Sequence, residues 1–137
     1  MSSKSKGTRY ERELFHLFWK NNWAACRSAG SGSTPLPSPD ILASNTLRTL
    51  AIECKSLKEG TKYIEKEKLA SLIEFSSLFG AEPWLGMRFD NKGWFFLKPS
   101  DLQGNKNENY AISLDLATSK GKKFEELIHS PIAEKEL

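Results

Sequence analysis

The sequence predicts an α/β fold in which five strand-like runs form one sheet flanked by helices. Three observations carry this expectation. Apolar residues at helical spacing fill residues 8–22 and 65–79; short β-rich runs fill residues 23–27, 40–43, 49–55, 84–89 and 94–98; turn-forming segments separate them. With 137 residues, 39% of them hydrophobic, the chain suits one compact domain and leaves no room for a second catalytic one.

Residues 1–7 are polar and basic and are expected to be a mobile tail. Thr8-Arg9-Tyr10-Glu11 has the capping-box pattern, with Thr8 as the cap and Glu11 at the third helical position. In the helix that follows, Tyr10, Leu14, Phe15, Leu17 and Phe18 share one arc, and Glu11 falls inside it. Two compatible roles account for a carboxylate there: the capping box, or a reach over the sheet toward a metal site or its water. Arg9 and Arg12 flank it, either as solvated charges or as phosphate contacts at a helix start.

A short strand ending at Arg27 runs into residues 28–39, a Gly, Ser and Pro segment that cannot be regular structure. It is either a plain connection or a functional loop in which Gly30 and Gly32 allow close backbone approach and Ser31 or Ser33 offers a hydroxyl to phosphate.

Residues 40–55 read as a β-hairpin with its turn at residues 44–48. Opposed residues in an antiparallel pair have numbers with a constant sum; centring the turn on Thr46 and Leu47 makes that sum 93 and sets Asp40 opposite Glu53. Alternation puts Lys55 on the face of Glu53 and turns Leu50, Ile52 and Cys54 toward a core. Two carboxylates and an ammonium then converge. The grouping is either a cross-strand salt bridge or a site for a hard divalent cation, which binds through one or two carboxylates, water and phosphate oxygens. Pro39-Asp40 opening one strand while Glu53-Cys54-Lys55 closes the next favours the second reading.

Residues 57–62 read as a polar connection in which Lys58 and Lys62 either track a phosphate backbone or are solvated. In the second helix Leu69, Leu72, Ile73, Ser76 and Phe79 form one side, while Phe75 and Leu78 widen the apolar arc beyond what one sheet face needs. The extra width is covered either by a second subunit, with Leu72, Phe75 and Phe79 at the seam, or by the C-terminal segment. Gly80 stops the helix, and Asp90-Asn91-Lys92-Gly93 turns between the last two strands. Residues 99–137 are expected to pack on the domain as an extended piece and a short helix without a motif.

The net charge is +3, but residues 1–68 hold 12 Lys and Arg against 7 Asp and Glu, and the remainder 8 against 10. The basic half contains the candidate site. Such a field suits an anionic polymer as well as it suits ordinary solubility. No apolar run is long enough to span a bilayer, and the N-terminus lacks a signal-type stretch, so a cytoplasmic, non-membrane protein is expected. Cys26 and Cys54 are expected to be reduced core residues.

Lys6-Gly7, residues 10–14, residues 27–31, Pro39-Asp40-Ile41, Ile52-Glu53-Cys54-Lys55, and residues 73–76 through Phe79-Gly80 occur in the order seen in archaeal Holliday junction resolvases. The chain resembles that family, within the restriction-endonuclease-like nucleases, over residues 6 to about 97. The resemblance implies a central mixed five-stranded sheet flanked by helices. It implies a catalytic set of Glu11, Asp40, Glu53, Lys55 and Ser31, with Mg²⁺, or Mn²⁺ in its place, held by Glu11, Asp40 and Glu53. It also implies that Arg12 and Arg27 contact DNA phosphates or support the site, that the Gly30-Ser31-Gly32 loop acts near the cleaved strand, and that a homodimer acts on four-way junction DNA; Lys6, Arg9, Lys58 and Lys62 are the further DNA contacts expected. No motif names a clamp or recombination partner. Another nuclease of the superfamily and a non-catalytic DNA-binding module are the competing expectations.

Overall fold

The structure is a computed structural model that describes residues 3–28, 36, 38–102 and 109–130. Helix α1 (Ser3–Lys20) leads into β1 (Ala24–Arg27), β2 (Ile41–Ser44) and β3 (Thr49–Leu57). Strand β4 (Thr61–Glu65), helix α2 (Lys66–Phe79), β5 (Glu82–Phe89) and β6 (Gly93–Leu97) follow. A 3-10 turn (Pro99–Asp101), β7 (Asn109–Ser113), α3 (Leu114–Lys120) and α4 (Phe124–His129) complete the described chain.

The main sheet has the order β1-β2-β3-β5-β6 and is mixed, since β3 and β5 run parallel while the other neighbours are antiparallel. The β2–β3 register pairs Ile41 with Ile52 and Ala43 with Leu50, which is the expected sum of 93. Thr46 takes a left-handed φ of 78° in the turn, where Asn45 Oδ1 accepts the backbone N–H groups of Leu47 and Arg48.

Two apolar layers sandwich this sheet. On one face Tyr10, Leu14 and Phe18 of α1, spaced by four, pack against Leu50, Ile52, Trp84, Trp94 and Phe96. On the other, Leu69 and Leu72 of α2 pack against Ala51, Leu85, Met87 and Leu97. Even-numbered positions of β3 therefore face α1 and odd-numbered positions face α2. No helix among the described residues is long and apolar enough to cross a membrane.

Several expectations are corrected. Helix α1 begins at Ser3, so Thr8 is interior and the basic segment expected to precede the helix is its opening turns. Tertiary anchoring explains the early start: Lys6 Nζ meets Asp90 Oδ2 at 2.6 Å and Tyr10 Oη donates to Asp90 Oδ1 at 3.0 Å. The expected connection at residues 57–62 contains the start of β4, which pairs with β7 in a separate two-stranded sheet. Cys26 is exposed on edge strand β1, not in the core. Leu72, expected at a subunit seam, is 5% exposed and faces its own sheet; Ile73, Leu78 and Phe79 are the exposed large apolar residues of that helix.

The C-terminal part is structural. Phe124, Leu127 and Ile128 of α4 join the α1-side core. Buried Arg48 ties them in place: it meets Glu82 with Nε and Nη2, each at 2.9 Å, and donates from Nη1 to the carbonyls of Leu127 at 2.6 Å and Ser130 at 3.2 Å. Arg48→Ala strands those carbonyls and the Glu82 charge and should cost roughly 2–4 kcal/mol, read as a fall in the urea midpoint. A loss below about 0.5 kcal/mol would show that α4 docks without it.

Candidate active site

Strand β2 ends at Ile41 opposite Ile52, so the edge of β3 beyond that point lies outside the β2 ladder. Asp40 fills the place of the missing ladder partner. Its Oδ2 accepts the backbone N–H of Cys54 at 2.8 Å, while its own carbonyl accepts the N–H of Ser28 at 3.0 Å. The carboxylate is thereby brought beside Glu53, near enough for the two carboxyls to act on each other. Both lie on the α2 side of the sheet, as does Lys55.

Glu11 and Arg27 approach from the other layer. Arg27 is paired with Ile41 and so faces α1, where its Nη2 lies 3.4 Å from Glu11 Oε1 and 3.4 Å from the carbonyl of Thr8. Glu11 approaches Asp40 from the α1 side around the open sheet edge, near enough for the Asp40 charge to raise its carboxyl. Arg27 Nε is buried without a hydrogen-bond partner among the described residues.

The electrostatics identify an under-neutralised carboxylate cluster. Burial, followed by the charge of Asp40, raises Glu53 to about 7, against the opposing charges of Lys55 and Lys68. Burial also raises Asp40, although the Cys54 N–H and Lys55 hold it down in part. Glu11 is raised by burial and then by Asp40, with Arg27 opposing. The buried Cys54 thiol, surrounded by the three carboxylates, is pushed well above its usual range. Two such carboxyls raise each other's affinity for a proton and, by the same charge, for a cation.

Among the described residues no three carboxylate, imidazole or thiol groups come together as a metal cage. A two-carboxylate site still fits Mg²⁺, which keeps several waters and takes one or two protein carboxylates. Asp40 and Glu53 meet that requirement; Glu11, paired with Arg27, stays close enough for the Asp40 charge to act on it.

The remaining expected residues are dispersed. Arg9 and Arg12 are exposed on α1, Arg9 lying 4.9 Å from the Tyr10 ring centroid. Lys6 is engaged by Asp90, Lys58 is exposed in the turn after β3, and Lys62 is half-buried on β4. Gly30, Ser31, Gly32 and Ser33 lie outside the described residues. Lys68 was not expected here, although its signal was available: it stands four residues before Leu72 on the inward stripe of α2.

A family model described as archaeal Holliday junction resolvase (Hjc) matches residues 2–136. The crossover junction endodeoxyribonuclease Hjc of Archaeoglobus fulgidus is 39% identical over 129 residues, covering 90% of this chain and 95% of that protein. The Methanocaldococcus jannaschii protein of the same name is 37% identical over 107 residues, covering 78% of this chain and 75% of that protein. The solved structure of Archaeoglobus fulgidus Hjc, a Holliday junction resolvase, superposes with a TM-score of 0.82 at 35% identity, covering 88% of this chain and 98% of that one.

Stability should report the shared proton. Folded Glu53 retains a proton that the unfolded chain releases between about 4.5 and about 7, so without divalent metal its contribution favours folding at the low end and is lost as pH rises through that window. The contribution is of order a few kcal/mol and should show as the difference between wild type and Glu53→Gln in urea midpoints measured in chelator across the window. Parallel curves for the two proteins would remove the shared proton.

Proposed function

The chain belongs to the archaeal Holliday junction resolvase family, and from that premise we propose that it is a metal-dependent endodeoxyribonuclease that resolves four-way DNA junctions by paired phosphodiester cleavage. The observation that carries the catalytic assignment is the buried Asp40–Glu53 pair beside Lys55 at an open sheet edge. The chain acts as one nuclease domain in the cytoplasm, with the segment after Pro99 as part of its core.

The residues have separable roles. Asp40 and Glu53 would hold Mg²⁺, or Mn²⁺ in its place, and the bound cation supplies charge neutralisation at the phosphate and a more acidic attacking water. Lys55 places positive charge where negative charge develops on the phosphate during in-line attack. Glu11, held by Arg27 on the α1 side, orients the attacking water. The guanidinium of Arg27, partly exposed beside Glu11, contacts a phosphate, and Arg9, Arg12, Lys58 and Lys62 supply further phosphate contacts. Lys6 is engaged by Asp90 and reaches DNA only by exchanging that ion pair for a phosphate. Ser31, with Gly30 and Gly32, acts beside the cleaved strand.

Homodimerisation accounts for the apolar face of α2. Ile73, Leu78 and Phe79 are 44%, 84% and 55% exposed, and Phe75 stacks on Phe79 with ring centroids 5.1 Å apart. With Leu36 and Glu74, the Phe75, Leu78 and Phe79 side chains form an open groove of about 390 Å³. A contiguous apolar patch of this kind is a usual protein interface. A twofold dimer presents two equivalent sites to a nearly twofold junction, so paired nicks follow from symmetry rather than from base reading.

In Mg²⁺ the protein should cut a synthetic four-way junction much faster than a duplex of the same sequences; equal rates would favour a general nuclease of the superfamily. Asp40→Asn and Glu53→Gln should each lower cleavage at least ~10³-fold while junction binding persists. Cleavage by neither wild type nor variants in Mg²⁺ or Mn²⁺ would leave a binding module. Sedimentation at micromolar concentration should give a dimer, and Phe75→Ser with Phe79→Ser should give a monomer.

A further inference from the structure

The parallel β3–β5 pair and the helix between them determine what lies over the carboxylates. Phe79 ends α2, and only Gly80 and Ala81 separate it from Glu82, which sits beside Leu50 at the start of β3. The C-terminus of α2 therefore lies at the N-terminal end of β3. Fourteen residues of helix span about 21 Å and the six residues from Leu50 to Lys55 about 17 Å, so the first turn of α2 lies over Glu53 and Lys55.

That first turn carries Lys68. Helical positions four apart share a side, and Lys68, Leu72 and Ser76 form such a row, with Leu72 and Ser76 buried against the sheet. One turn earlier the row passes beyond the apolar floor. On the α2 face of β3 the residue after Ala51 is Glu53, which pairs across the parallel ladder with Leu85. Lys68 is exposed, and no ion pair within 4.0 Å engages it among the described residues. Its charge is nevertheless felt by both Asp40 and Glu53.

We propose that Lys68 is a second substrate-contacting cation of the active site, delivered from α2 to a phosphate oxygen at the cleaved strand, on the side of the carboxylates opposite Arg27. This rests on the nuclease reading above. The positive end of α2 adds to the same field, so a phosphate entering at this edge is met by the helix start and Lys68 from one layer and by Arg27 from the other. Lys55 lies between them on the strand. Once a divalent cation neutralises Asp40 and Glu53, the charge of Lys68, which forms no ion pair with Glu65 or Glu67 among the described residues, is directed to the DNA. The reaction itself is unchanged: water attacks phosphorus, one P–O bond forms as another breaks, and Lys68 exchanges no proton.

The test uses the full chain with Lys68→Ala and Lys68→Arg, a synthetic four-way junction and single-turnover conditions at saturating protein. Lys68→Ala should slow Mg²⁺-dependent cleavage roughly 10- to 100-fold and Lys68→Arg should recover most of it. Mn²⁺ binding measured by calorimetry without DNA should be unchanged or tighter in Lys68→Ala, because a cation beside the carboxylates opposes metal. Wild-type cleavage by Lys68→Ala overturns the proposal, as does equal impairment of both variants with a matching loss of thermal stability. Failure of wild type to cut any junction would overturn the nuclease reading separately. In that event junction binding in Ca²⁺ still decides: a slope of log affinity against log salt shallower by about one in Lys68→Ala supports the phosphate contact, and an unchanged slope overturns it.

Discussion

The hydrogen bond from the Cys54 backbone N–H to the Asp40 carboxylate, 2.8 Å long, is the constraint on which the site depends. Where β2 stops, a strand edge would leave an N–H without a ladder partner, and a buried orphan donor costs free energy comparable to a lost hydrogen bond. A side-chain oxygen takes the role of the absent carbonyl. Satisfying that donor brings a second carboxylate against Glu53 in a region from which water is partly excluded. The fold thus resolves a backbone problem by creating an electrostatic one. Protonation of one carboxyl relieves it in the free protein, and a divalent cation relieves it better, because two charges are then met by two.

The surrounding layers hold this arrangement from both sides. Helix α1 is fixed at its start by Lys6 and Tyr10 on Asp90, and further along by Glu13, which accepts from Arg88 Nε at 2.8 Å and Trp94 Nε1 at 2.7 Å. Burial opposes the charge on Glu13, but the Arg88 and Trp94 hydrogen bonds outweigh it and hold its carboxyl below the usual range. The contrast with Glu53 is instructive. Glu53 is the more deeply buried of the two; Glu13 has its donors in Arg88 and Trp94, whereas among the described residues Glu53 faces the Asp40 carboxylate. Burial and the supply of internal donors together set the scaffold carboxylate apart from the one beside Asp40.

Local features of this arrangement were legible in the sequence. The hairpin register followed from turn position alone, because a short turn couples residues only a few positions apart, and the inward glutamate on α1 was visible as a breach of helical periodicity. Distance along the chain hid the rest. Arg48 looks like a turn residue until Glu82 and Leu127 come into range; β4 looks like a linker because its partner β7 lies about fifty positions away. Thr8 resembled a cap because the tertiary contacts that carry α1 back to Ser3 cannot be read locally. Cys26 looked like a core residue because edge strands and central strands share one composition, and only sheet order distinguishes them.

Helix α2 links chemistry to assembly. Its first turn lies over Glu53, its middle is buried through Leu69 and Leu72, and its last turns present Phe75, Leu78 and Phe79 outward. From Lys68 to Phe79 the helix rises about 16 Å, so a twofold axis at the aromatic pair would fix each site at that order of distance from the dyad through one rigid element. In the proposed dimer no loop would intervene between the subunit contact and the residue over the carboxylates. For an enzyme that nicks two strands in step, spacing set by a packed helix rather than by a flexible connection would keep the second site in register while the first one reacts. The apolar exposure of α2, destabilising for an isolated chain, would then be the counterpart of its buried half: one face fixes the helix to its own sheet, and the other would fix that sheet to its copy.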